Sequence, residues 1–283
     1  MDAQRLRSVQ LGAGTVRYRD IGSGPVVVFV HGVFVNGLLW RKIAAPLSKS
    51  FRCVVPDLPL GAHSPAMRAD ADLTPAGVAD ILLDFLAALE LHDVTLVAND
   101  TGGAICQLAI AKDAGRVARV VFTNCDTYEN FFAPSVMALV YLPRIPGFMW
   151  LMAQATRPPR VRRRIAKTLA RRIPDDIVLS SWFDPTLRDA TVRRDFGRFL
   201  RSVNKRYTLE AAKTFASFEK PVLVAWGQDD IFFPRRDGER LAQAFPNARI
   251  ERLADCRALV PEDQPEKLAA LIAEFAATPV SVS

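Results

Sequence analysis

The chain has 283 residues, half of them hydrophobic, and a formal net charge of +7. That content suits one packed α/β domain with an insertion, or two small domains, and excludes a disordered chain. No apolar run approaches the roughly 18 residues of a membrane span, and the N-terminus lacks the apolar core of a signal peptide, so a cytoplasmic protein is expected.

Val9 to Leu11 and Thr15 to Tyr18, joined by Gly12-Ala13-Gly14, predict an opening β-hairpin. Val26 to Val30 and Cys53 to Val55 are continuous apolar runs, the pattern of strands buried on both faces. Gly77 to Leu91 has helical periodicity and leads into a strand from Val94 to Ala98. Arg119 to Thr123, Val222 to Trp226 and Arg249 to Leu253 read as later strands, and Pro265 to Ala276 as a closing helix. Strands alternating with helices argue for a mostly parallel, twisted sheet with helices on both faces. Between Tyr128 and Lys220 the strand pattern stops. Helical segments take over at Ser135 to Leu142, Val161 to Ala170, Ile177 to Phe183 and Thr191 to Leu200. The expected organisation is a core of residues 1–127 and 220–283 with a helical cap of residues 128–219 inserted between two strands.

Much of the positive charge lies between Arg157 and Arg172. Val161, Ile165 and Leu169 recur there at helical spacing, so they are expected to face inward with the arginines on the solvated side. No nucleic-acid partner is expected. Cys53, Cys106, Cys125 and Cys256 are scattered without metal-ligand or CxxC spacing, which predicts reduced, buried thiols and no metal. No organic cofactor is implied either, because no phosphate-binding glycine loop follows the first strand.

The chemistry-bearing segment is Asn99-Asp100-Thr101-Gly102-Gly103. A strand, a tight Gly-rich turn and a helix, in that order, lift the central side chain, Asp100, out of the sheet. A carboxylate ionised at neutral pH attacks without a base, but the ester it forms needs one to activate water. After the Val26 strand comes His31-Gly32-Val33. The N–H groups of Val33 and Thr101 can then form an oxyanion hole above Asp100, and His31 is expected to brace the loop. After the Val222 strand comes Gly227-Gln228-Asp229-Asp230, whose Asp230 suits the acid that orients a catalytic histidine.

Five segments in this order carry a resemblance: His31-Gly32; Pro56-Asp57 leading to Gly61 and Ser64; Asn99 to Gly103; Gly227 to Pro234; and Val260-Pro261-Glu262-Asp263-Gln264-Pro265-Glu266. Together they resemble the α/β-hydrolase superfamily, whose nucleophile sits on such an elbow. The aspartate narrows the likeness to the branch of epoxide hydrolases and haloalkane dehalogenases. The resemblance implies an α/β-hydrolase fold, Asp100 attacking an alkyl carbon, and a histidine just before the Val-Pro-Glu stretch. Ala258 stands at that histidine's place. Candidate surrogate bases are His63, Asp126 and Asp229. Thr101 and Val33 replace the halide-binding donors of dehalogenases, whereas Tyr141 and Tyr207 can supply the two cap tyrosines of epoxide hydrolases. Trp150 and Trp182 are candidates for lining an apolar substrate cavity.

The function these readings predict is a hydrolase acting on a small or medium apolar molecule through Asp100. It is epoxide-hydrolase-like more than dehalogenase-like, with an atypical or impaired second step. The alternative is a non-hydrolytic pocket protein that binds a ligand or runs lyase or isomerase chemistry with Asp100 as base.

Overall fold

β-Branched runs bounded by glycine and proline become strands, and the structure, a computed structural model, describes residues 6–277. Among them eight strands form one sheet: β1 (Arg7–Leu11), β2 (Gly14–Ile21), β3 (Val26–Val30), β4 (Arg52–Pro56), β5 (Val94–Asp100), β6 (Val117–Cys125), β7 (Val222–Gly227) and β8 (Ala248–Leu253). Their order is β1-β2-β4-β3-β5-β6-β7-β8. β1, β2 and β4 pair antiparallel, and every pairing from β4 to β8 is parallel. This is the α/β-hydrolase fold. The central strands are buried along almost their whole length, as helices on both faces require.

The helices are α1 (Arg41–Leu47), α2 (Pro75–Ala88), α3 (Thr101–Lys112), α4 (Ala138–Tyr141), α5 (Phe148–Ala155), α6 (Pro159–Leu169), α7 (Asp176–Arg188), α8 (Ala190–Ser202), α9 (Arg206–Ala212), α10 (Arg235–Ala244), α11 (Val260–Asp263) and α12 (Pro265–Ala277). α2, α3 and α10 cover one face, where Phe85, Ile105, Phe122, Trp226 and Leu241 share a core. α1 and α12 cover the other with Ile43, Leu47, Leu268 and Ile272. From β3 the chain crosses to β4 on one side, while β5 lies on the other. The loops leaving β3 and β5 therefore part, and a crevice opens at the C-terminal ends of these strands.

Six helices, α4 to α9, run between β6 and β7. α9 packs against α3, and the Thr208 hydroxyl on it donates to the Tyr128 carbonyl at 2.6 Å, which seats this helix with the sheet layer. α5 and α9 fall where no helical period was predicted. α2 stops at Ala88 instead of Leu91, and Glu90 takes φ 50° just beyond it.

The expected solvated arginine face needs a correction at Arg162, which is buried. Its guanidinium is satisfied there: Nε donates to the Thr156 carbonyl at 2.6 Å, Nη1 to the Ser180 hydroxyl at 3.2 Å, and Nη2 lies 2.7 Å from Asp184 Oδ1. A buried charge is tolerated when it is paired and its donors are all used. Arg163 and Arg171 are exposed and pair with Asp176 and Asp229. All four cysteines are buried and free. No described helix is long and apolar enough to cross a membrane.

Candidate active site

β5 ends on Asp100, which adopts φ 56° and ψ −135° before α3 begins at Thr101. A non-glycine residue at positive φ is strained and persists only where its surroundings enforce it. Here the enforcement is close packing: a Cβ on Gly32 would collide with the Asp100 carboxylate, and one on Gly103 would collide with Cys125. Both glycines are needed for that close approach, not for positive φ. The backbone N–H groups of Thr101 and Val33 lie close enough to the Asp100 carboxyl to pull its pKa down. The two groups predicted as an oxyanion hole therefore converge on Asp100 itself.

Asp126, just after β6, is the second carboxyl of the site. Its Oδ2 accepts from the Thr101 hydroxyl at 2.7 Å and its Oδ1 from the Phe132 N–H at 2.9 Å. The Gln107 side chain fixes its backbone by donating to the Asp126 carbonyl at 2.8 Å. Asp100 and Asp126 both face a cavity of about 160 Å³. Apart from these two and Thr168, its wall is apolar, including Phe34, Phe132, Leu139, Ile165 and Phe233. A wider cleft of about 950 Å³ shares Ala133 and Phe232 with it but holds neither carboxyl.

Burial pushes the Asp100 carboxyl well above the usual carboxylate range, and the neighbouring Asp126 pushes it further. Burial pushes Asp126 up to about 7, against the pull of the Phe132 and Thr101 hydrogen bonds. Two carboxyls sharing one dry site cannot both ionise cheaply, so the pair retains a proton at neutral pH. The expectation that Asp100 is simply ionised is corrected on this point.

Asp230 lies nearby and adds to the field on Asp100, but it does not line the cavity. It accepts from Asn124 Nδ2 and from the Phe232 N–H, each at 2.8 Å, and burial raises its pKa. At the position expected of a histidine, Ala258 is buried, and its carbonyl accepts from Asn99 Nδ2 at 2.8 Å. The same amide donates to the Thr123 hydroxyl and the Asn124 carbonyl, so Asn99 ties the ends of β5 and β6 to the Ala258 loop. Leu259 N–H then joins that loop to the Leu169 carbonyl at the end of α6.

Other candidates lie elsewhere. His63 is buried, not solvent-facing, with Nε2 3.5 Å from Asp195, and it does not line the cavity. Asp229 pairs with Arg171 at 2.8 Å. Tyr141 and Trp150 are exposed, Trp182 is buried in the core, and neither they nor Tyr207 line the cavity. His31 accepts the Leu58 N–H on Nε2 at 2.9 Å, which leaves Nδ1 to donate to the Gly32 carbonyl, and burial lowers its pKa. It braces the loop as a neutral imidazole. Sequence reasoning missed the cavity's aromatic wall. Its signals were Phe131-Phe132 and Phe232-Phe233, each just after a strand. Among the described residues no group of three or more His, Cys, Asp or Glu is placed to hold a metal ion.

A strained carboxyl at a strand-to-helix elbow, under two converging N–H groups on the C-terminal rim of a parallel sheet, defines an α/β-fold hydrolase. The α/β hydrolase fold family matches residues 25–265, and the chain belongs to it. It is 26% identical over 268 residues to haloalkane dehalogenase 2 of Mycobacterium tuberculosis, covering 92% of this chain and 91% of that protein. It is 24% identical over 273 residues to a cis-3-alkyl-4-alkyloxetan-2-one decarboxylase of Shewanella oneidensis, covering 92% and 84%. The crystal structure of a haloalkane dehalogenase from Bradyrhizobium elkani superposes with a TM-score of 0.80 at 20% identity, covering 96% of this chain and 97% of that one.

Proposed function

We propose that the protein hydrolyses a small, apolar cyclic ether, with Asp100 as nucleophile and Asp126 in the combined place of the missing histidine and tyrosines. The pair carries one proton, and the reactive tautomer is the one that places it on Asp126 and leaves Asp100 ionised. Asp100 attacks a ring carbon while Asp126 protonates the departing oxygen. This leaves an alkyl ester on Asp100 and a carboxylate on Asp126. Asp126 then removes a proton from water as that water attacks the ester carbonyl. The Val33 and Thr101 N–H groups hold the oxyanion, and collapse releases a diol and restores both carboxyls. Residues 128–219 act as the cap that closes the cavity. The observation that carries this reading is that Asp100 and Asp126 line one apolar cavity with Thr101 between them, adjacent to Asp100 in the chain and bonded to Asp126 through its hydroxyl.

A haloalkane fits less well, because no tryptophan lines the cavity to receive a halide. The experiment is intact mass spectrometry after incubation with a small epoxide. Wild type should release diol and return to its own mass. Asp126→Asn should lose about 10²–10⁴-fold in turnover and accumulate one adduct. Unchanged turnover in Asp126→Asn would overturn the role given to Asp126.

A second reading is favoured by Ala258 at the histidine's place, because one class of ester leaves Asp100 without water. Attack of Asp100 on the ring carbon of an oxetan-2-one, the substrate type named for the Shewanella relative, breaks the carbon–oxygen bond and frees a carboxylate. Loss of carbon dioxide then forms the alkene and expels Asp100, with no proton needed. Alkene from the lactone, with no diol from the epoxide, would select this chemistry.

A further inference from the structure

Residues 131–174 contain nine Lys and Arg and no Asp or Glu, more than the whole net charge of +7. Within it, residues 141–151 hold four of the eight exposed large apolar side chains among the described residues: Tyr141 at 61%, Ile145 at 55%, Trp150 at 56% and Leu151 at 60%. They flank the exposed turn Arg144–Gly147, where Gly147 takes φ 80° and a Cβ placed on it would meet nothing within 4 Å. Such a cluster is costly to leave in water and marks a docking surface.

We infer that this face of the α4–α6 region docks on an anionic lipid surface, with the 141–151 turn inserted at the headgroup level. Charge decides the occupant. Arg163 and Arg171 are neutralised by Asp176 and Asp229, but Arg157, Arg160, Arg164 and Lys167 are exposed and form no ion pair among the described residues. Arg144 is committed to the carbonyls of Val140 and Arg201. A tryptophan, a tyrosine and aliphatic side chains in the same stretch as unneutralised arginines is the chemistry of an interfacial anchor. The face is also continuous with the candidate site. α4 supplies Tyr141 to the surface and Leu139 to the cavity wall; α6 supplies Arg164 to the surface and Ile165 and Leu169 to that wall. An apolar substrate dissolved in the lipid therefore has a short path to Asp100.

The test is flotation with vesicles of phosphatidylcholine alone or mixed with phosphatidylglycerol, at low and high salt. Trp40, Trp182 and Trp226 are buried, so a blue shift in tryptophan emission reports Trp150. The full chain should float with the anionic vesicles, shift its emission, and lose about tenfold in binding between low and high salt. W150S/L151S and, separately, R160E/R164E should each cut vesicle binding at least about tenfold while melting as wild type does. Absence of binding to anionic vesicles, or binding by both double variants equal to that of wild type, would overturn the proposal. So would concentration-dependent self-association that W150S/L151S abolishes, because the face would then belong to a second copy of the chain. None of these outcomes bears on the roles of Asp100 and Asp126, which vesicle-free epoxide turnover reads.

Discussion

Asp100 and Asp126 are joined through one residue: Thr101 follows the first in the chain, with its N–H close to that carboxyl, and gives its hydroxyl, at 2.7 Å, to the second. One residue thus sits between two acids that burial pushes upward, Asp100 further by repulsion from Asp126. Two such groups titrate as a single unit.

The pH profile of Asp100 alkylation follows from that unit. Below about 7, the value to which Asp126 is pushed, both carboxyls are protonated and no nucleophile exists. The single-turnover rate with a small epoxide should therefore climb about tenfold per pH unit up to neutrality. It should level off above that, then fall at more alkaline pH when the second proton, and with it the acid, is lost. A rate that stays flat between pH 5 and 9 would exclude the pair as the titrating group.

Stability should respond to the same proton with the opposite sense. The folded-state pKa of Asp126 is raised from 3.8 to about 7, so the folded chain binds the proton more tightly than the unfolded one. The Asp126 contribution to stability then declines as pH rises from about 4 to about 7, and Asp100, also raised well above the usual range, carries the decline to higher pH. Asp126→Asn cannot ionise. It should melt above wild type at pH 8, by on the order of 4 kcal/mol, and with wild type near pH 4. Thermal melts at the two pH values check this, and a gap that widens toward acid would refute it.

Ala258→His tests whether the site is a damaged copy of its relatives. The Ala258 side chain is 1% exposed, and its backbone is held by Asn99. An imidazole there must displace packed neighbours, at a cost of about 1–3 kcal/mol. With Asp126 serving as base, epoxide turnover should not improve. A rise of tenfold or more in the variant would restore the histidine mechanism and remove Asp126 from its role.

Much of the fold was legible because it rests on local signals. Val26–Val30 and Val222–Trp226 are apolar runs that only a doubly covered strand explains, and Asn99–Gly103 carries its turn in its glycines. Asp100, Val33 and Thr101 were legible together for the same reason, since each follows a strand that the pattern places. The cavity wall was not. Phe132, Leu139, Ile165 and Phe233 come from four segments whose periods say only that they are apolar, and tertiary packing decides which of them meet. Tyr141 and Trp150 show the converse failure: the resemblance offered one as a cap tyrosine and aromatic character offered the other as cavity lining, and packing turned both outward. Asn99 was read only as part of the elbow, because its bonds to Thr123, Asn124 and Ala258 span up to 159 positions of chain.

Arg162 and Arg163 are neighbours in sequence with opposite environments, and that contrast gives a last prediction. Arg162 is buried against Asp184, Ser180 and the Thr156 carbonyl, whereas Arg163 meets Asp176 on the surface. Removing a buried partner strands the groups it satisfied, so Arg162→Ala should destabilise the chain by about 3–5 kcal/mol. Arg163→Ala breaks an exposed pair and should cost about 0–1 kcal/mol. Urea denaturation of the two variants side by side measures the difference. Equal midpoints would mean that Arg162 is solvated after all, and that the helix turns its arginines outward as the bare spacing suggested.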